Sequence, residues 1–149
     1  MLTTYFFLSL YSICMIVLAI LWLQSGLDKV FHFKDNYDWL KGHFSKSPLK
    51  GLVKIMLLSL TLFEVSAGIS ALIAIIDIWV LKLWYFPLLA SFLSMFSLTA
   101  LFFGQRIAKD YAGAASLVGY MIYSIILMFI SYYIYVLSLD LPPTTGFYN

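Results

Sequence analysis

Between Lys54 and Asp77 the sequence carries a single charged residue, Glu64, inside the stretch LTLFEVSAGIS (Leu60 to Ser70). A carboxyl group in such apolar surroundings has three chemical uses. It can tie helices together by hydrogen bonds, exchange a proton, or hold the polar end of a ligand. Counting inward from the basic end of each apolar run gives the side chains expected at its depth. These are Cys14 and Met15, then Ser91 and Ser94, then Tyr123 and Ser124, with Tyr120 one turn nearer the end. None is basic. Burial disfavours the charged form of a carboxyl group, so the expectation is a neutral acid donating to a hydroxyl, without a counter-ion. Glu64, Tyr120, Tyr123, Ser91 and Ser94 are therefore the candidate ligand or proton site. Such a set can hydrogen-bond a carbonyl in an apolar slot.

A second polar group sits where apolar runs end. QSGLDK (Gln24 to Lys29) and GQRIAKDYAG (Gly104 to Gly113) bring Gln24, Asp28, Lys29, Arg106, Lys109 and Asp110 to one side. They form either an ion-pair cluster among helix caps or a site for an anionic or quinone headgroup. Exposed pairs of this kind contribute little stability.

Other chemistry is not signalled. Cys14 is the one cysteine, so no internal disulfide and no CxxC motif exists. His32 and His43 are two scattered histidines without further ligands, so no metal site is expected. The sequence has no glycine-rich phosphate loop and no basic-aromatic stripe for nucleic acid, and its formal net charge is only +2. No nucleophile constellation or intrinsic cofactor motif is present, so the chain is not expected to be catalytic on its own.

The elements that hold these residues follow from composition. The 149 residues are 63% hydrophobic and 11% charged, against about 25% charged for a soluble domain. Runs of roughly 20 apolar residues cross a bilayer as helices. Four such runs are expected, at about 4–27, 52–76, 80–103 and 112–139, within one integral membrane domain spanning 1–149. The fold class is all-α, a transmembrane four-helix bundle. The runs are too long and continuous for a barrel. The N-terminus lacks a basic n-region and reads as a retained helix. Eight of the nine basic residues fall in or beside the first and third connections, with Lys82 opposite. The positive-inside rule then puts those connections in the cytoplasm and both termini outside.

The first connection, about 28–51, is patterned. Phe33, Tyr37, Leu40 and Phe44 recur on one helical face, while Lys34, Asp35, Asp38 and Lys41 point elsewhere. A short interfacial helix is expected, capped by Asp35, serving as a surface ornament, a lid over a pocket, or a docking surface. Ser47-Pro48 reads as the start of the second span. Thr61, Glu64, Gly68 and Ala71 share a mostly small face. Gly113, Ser116, Gly119 and Tyr120 offer a matching surface on the fourth span, so these two are expected to pack closely.

SGLDK closing the first span, the second span with Glu64 and Gly68, and GQRIAKDYAGAA between the third and fourth resemble the DoxX-like family of small four-helix bacterial membrane proteins. The resemblance runs along essentially the whole chain on short motifs. It implies a small membrane subunit associated with quinone-coupled or oxidative-stress redox proteins. It points to Ser25, Gly26, Lys29, Glu64, Arg106, Asp110 and Gly113. Many members also carry an arginine early in the first span, where this chain has none.

Three functions are expected in turn. The first is a non-catalytic subunit or scaffold for another membrane protein or complex in the bacterial inner membrane. The second is a quinone-interacting subunit, and the third is a small transporter or lipid-binding protein using Glu64. Quinone or lipid is the implied ligand.

Overall fold

The computed structural model describes residues 2–140. It contains α1 (Leu2–Phe31), α2 (Phe33–His43), α3 (Val53–Ile76), α4 (Tyr85–Ile107), α5 (Tyr111–Ser116) and α6 (Val118–Asp140). One π turn, Asp77–Leu81, extends α3. Among the described residues, four stretches are long and apolar enough to cross a membrane: Leu2–Phe31, Val53–Leu81, Tyr85–Ile107 and Tyr111–Leu139, the last formed by α5 and α6 together. Large apolar side chains such as Phe6, Ile13, Ile55, Leu62, Phe92 and Phe129 cover the outside. That surface suits lipid, so the chain is a multi-pass, all-α, four-helix membrane protein. The outward placement of the chain ends concerns termini that lie outside the described residues.

α3 is the hub. It packs on α1 and on α4, and α4 in turn packs on α6. The closest approach is between α1 and α3, where glycines let backbones meet. A Cβ on Gly26 would lie 2.8 Å from Val65 Cγ2, and one on Gly68 would lie 2.6 Å from Leu23 Cγ and 2.9 Å from its backbone N. The small face of α3 thus meets α1, not the fourth span as expected. On the fourth span Gly119 faces open space and Tyr120 is exposed. The small face of α3 was read correctly, but its partner was not, because a small-residue stripe does not specify which helix fills it.

Buried hydroxyls hold α1, α4 and α6 together. Tyr11 and Ser131 hydrogen-bond, and Ser91 donates to Ser131 at 3.2 Å. Trp22 Nε1 donates to Ser94 Oγ at 2.7 Å, and Ser94 pairs with Ser124 at 2.8 Å. Tyr123 donates to the carbonyl of Cys14 at 2.7 Å.

The α3–α4 connection is built on Asp77, which is fully buried. Its carboxylate accepts from the backbone N–H groups of Leu83 (2.7 Å), Trp84 (3.2 Å) and Phe86 (3.0 Å). These bonds satisfy donors at the start of α4 that the helix itself leaves open. They also hold Lys82 and Trp84 at φ 56° and 59°, in the left-handed region that side chains rarely adopt. The second span therefore ends at Leu81 and the third starts at Tyr85, later than the expected 76 and 80.

The first connection contains the expected helix. Phe33, Tyr37 and Leu40 are partly buried and Phe44 is buried, while Lys34, Asp35, Asp38 and Lys41 are exposed. Asp35 lies in the first turn of α2; the cap position is His32. α1 runs on to Phe31, so α2 follows almost directly. Ser47 caps only a turn, accepting from Leu49 N at 3.1 Å, and α3 begins later, at Val53.

Candidate functional site

The buried carboxylate has a counter-ion. Lys29 Nζ donates to Glu64 Oε2 at 2.8 Å, with the Lys29 side chain 14% exposed and Glu64 fully buried. The ammonium also donates to Ser25 Oγ at 2.8 Å and to Ser25 O at 3.2 Å. An ammonium carries three protons, and here each has an acceptor. The expectation of a Glu64 without a basic partner is overturned. Depth counted from the helix ends holds only if those ends share one plane. In fact α1 ends two residues past Lys29, whereas α3 begins eleven residues before Glu64, about 16 Å along its axis. Gly26 of α1 packs so close to α3 that a Cβ on it would lie 3.1 Å from Val65 N and 3.4 Å from Glu64 Cβ, so Lys29 lies within reach where Cys14 and Met15 had been expected.

The hydroxyls assigned to Glu64 are engaged elsewhere. Ser91 and Ser94 join the networks to α6 and α1, Tyr123 bonds α1, and Tyr120 is exposed. The predicted site is therefore divided. Glu64 belongs to the α1–α3 interface, and the serines and Tyr123 belong to the α1–α4–α6 core.

The polar cluster at the basic end also separates into local pairs. Asp28 meets His32 Nδ1 at 3.1 Å and Asn36 Nδ2 at 3.1 Å. Arg106 lies 4.7 Å from the Tyr111 ring centre, a cation–π contact. Asp110 caps α5, accepting from Gly113 N at 2.8 Å, and its Oδ2 lies 4.0 Å from His43 Nε2. Lys109 takes φ 62° at the turn, and Gln24 is exposed. Lys29 alone of this group reaches the Glu64 site.

A different feature occupies the same end. α2 roofs a cavity of about 440 Å³ between α3 and α4. Its walls are apolar: Leu60 and Phe63 from α3, Phe96 and Leu101 from α4. Phe63 and Phe96 face each other at 4.6 Å between ring centres. Trp39, His43 and Phe44 form the α2 side. The Trp39 and His43 rings stack at 4.9 Å, and the Phe44 ring lies 3.4 Å from where a Gly104 Cβ would stand.

Two polar atoms in this apolar wall are buried without a hydrogen-bond partner, Ser97 Oγ and Gln105 Oε1. Several hydroxyls of these helices are satisfied by their own helix. Ser12, Thr61, Ser91, Thr99 and Ser131 each bond the carbonyl four residues back. Ser97 does not, although it is fully buried. An unpaired buried polar group costs about 1–3 kcal/mol, so Ser97 Oγ marks a place where a partner would stabilise the protein.

The amphipathic face of α2 is legible in the sequence. The part of Ser97 and Gln105 in the groove is not. Gln105 lay inside the quoted motif GQRIAKDYAG, but only the docking of α2 shows that it borders a cavity. No protein-family model matches the chain, and no curated protein or solved structure proved similar to it.

Proposed function

We propose that this chain is a non-catalytic membrane subunit that holds an amphiphile of the lipid or quinone class beneath α2. The observation that carries this reading is the α2-roofed cavity, whose walls are mainly apolar with a few polar residues, Ser97 and Gln105 among them. Ligand sites of this kind combine apolar walls with a few orienting polar groups. An isoprenoid or acyl tail fits the Phe63–Phe96 wall, and a polar head fits the Gln105 end. The DoxX-like resemblance is consistent with a partner that carries the redox chemistry. The excess of basic residues at the α2 end favours a cytoplasmic position for it, in a bacterial inner membrane.

Gentle purification tests this reading. The expected result is one amphiphile retained per chain and lost from an Ala100→Trp variant, which fills the groove from an exposed position on α4. A protein that carries no such molecule, or one retained equally by the variant, overturns it.

Glu64 supports a second reading, proton-linked transport, because its Oε1 is buried without a partner beside the Lys29 pair. Uptake into vesicles driven by a proton gradient and abolished in Glu64→Gln supports transport. Uptake unchanged in that variant removes Glu64 from the mechanism.

A further inference from the structure

The mouth of the groove carries an unbalanced charge. Lys41, Lys46, Lys50 and Lys54 follow one another along the chain, all four exposed, and no acidic residue stands between Asp38 and Glu64. Leu49, Leu52 and Val53 of the same segment line the cavity, so Lys50 and Lys54 stand at its rim. Among the described residues no carboxylate pairs with any of these lysines. The acids at this end are placed elsewhere. Asp28 bonds His32 and Asn36, Asp110 caps α5, and Asp35 and Asp38 are exposed on α2 without lining the cavity. The helix ends have the same polarity. α3 starts at this rim with no side-chain cap at Leu52 and no acid in its first turn, so its open N–H groups add to the positive field of the lysines. α4 ends at the same mouth with open carbonyls. An anionic head is therefore favoured on the α3 side.

The groove is also open to the side. Ile55, Ala100 and Phe103 line it and are exposed. From Val53 to Phe63 α3 rises ten residues, about 15 Å, which is long enough for much of one acyl tail. Resting on the groove reading above, we infer that the occupant is an anionic glycerophospholipid. Its phosphate sits at Lys50, Lys54 and the start of α3, one tail runs along the wall toward Phe63 and Phe96, and the other stays in the bilayer. A lysine beside the membrane surface favours an anionic lipid about fivefold, so two at one head favour it about tenfold or more.

The full chain in detergent is titrated with an equimolar mixture of dioleoyl phosphatidylglycerol and dioleoyl phosphatidylcholine, which share their tails, and the bound lipid is identified by native mass spectrometry. The wild-type chain retains one phosphatidylglycerol with about tenfold preference. Lys50→Gln combined with Lys54→Gln brings the two lipids to near-equal retention. Lys34→Gln combined with Lys109→Gln removes the same charge from other exposed positions at this end and keeps the preference, which separates a site from general attraction. Ala100→Trp loses the lipid. Equal retention of both lipids by the wild type, with both lost in Ala100→Trp, overturns the inference and leaves a neutral amphiphile in the groove. A preference that survives the Lys50 and Lys54 changes, or falls equally with the Lys34 and Lys109 changes, overturns it too. If the wild type retains neither lipid nor any other amphiphile, or Ala100→Trp retains as much as the wild type, the groove reading falls as well.

Discussion

Lys29 and Glu64 face each other across the α1–α3 interface at 2.8 Å, and the ammonium gives its remaining protons to the Ser25 hydroxyl and carbonyl. The pair is possible because Gly26 and Gly68 let the two backbones approach. Removing one partner strands a buried charge. Lys29→Met or Glu64→Leu alone should lower stability by about 3–5 kcal/mol, whereas the double variant should recover most of that loss. Thermal unfolding of the three variants in one detergent checks this. Additive losses would show that the two groups do not depend on each other.

The glycines give a second contrast. Gly68→Ala pushes a methyl against Leu23, including its backbone N at 2.9 Å, so α1 must shift. A loss of about 1–3 kcal/mol is expected. Gly119→Ala meets nothing within 4 Å and should be neutral or stabilising by up to about 1 kcal/mol. Chemical denaturation of both variants distinguishes a packing requirement from a general intolerance of substitution.

Asp77 should be as important as any core residue, although it stands at the turn between two spans. Asp77→Ala leaves three backbone N–H groups without their acceptor and releases the left-handed Lys82 and Trp84. A loss of at least about 2 kcal/mol is expected, with Asp77→Asn retaining part of the capping. Unfolding midpoints in the order wild type, Asn, Ala support this, and equal midpoints contradict it.

The orientation proposed for the basic end is checked with single cysteines in a Cys14→Ala background. Cys14 contributes its backbone carbonyl to Tyr123, so its side chain is dispensable for that bond. A cysteine at exposed Lys46 should react with an impermeant reagent only after the cytoplasmic side is opened. A cysteine at exposed Lys82 should react from outside in intact cells. The reverse pattern inverts the topology.

The four spans were legible because length and hydropathy alone dictate them, and α2 was legible from the spacing of Phe33, Tyr37, Leu40 and Phe44. Glu64 stood out as a lone charge. Its partner did not, because the match between Lys29 and Glu64 depends on the stagger of α1 against α3. That stagger is set by contacts 39 and 45 residues apart, Gly26 with Val65 and Leu23 with Gly68. The role of Asp77 was not legible, since nothing local announces that Lys82 and Trp84 will take positive φ. The groove was hidden for the same reason as the pair. Its walls come from α2, α3 and α4, and Ser97 and Gln105 acquire meaning only once the three meet.

Occupation of the groove beneath α2 underlies the proposed function. Its most direct test is photo-crosslinking with an amphiphile carrying a diazirine midway along its tail, followed by peptide mapping. Labels should concentrate on α3 near Phe63 and on α4 between Phe96 and Gln105, be displaced by unlabelled probe and be lost in Ala100→Trp. Labels spread over the lipid-facing residues of all four spans, and unchanged in that variant, would contradict it.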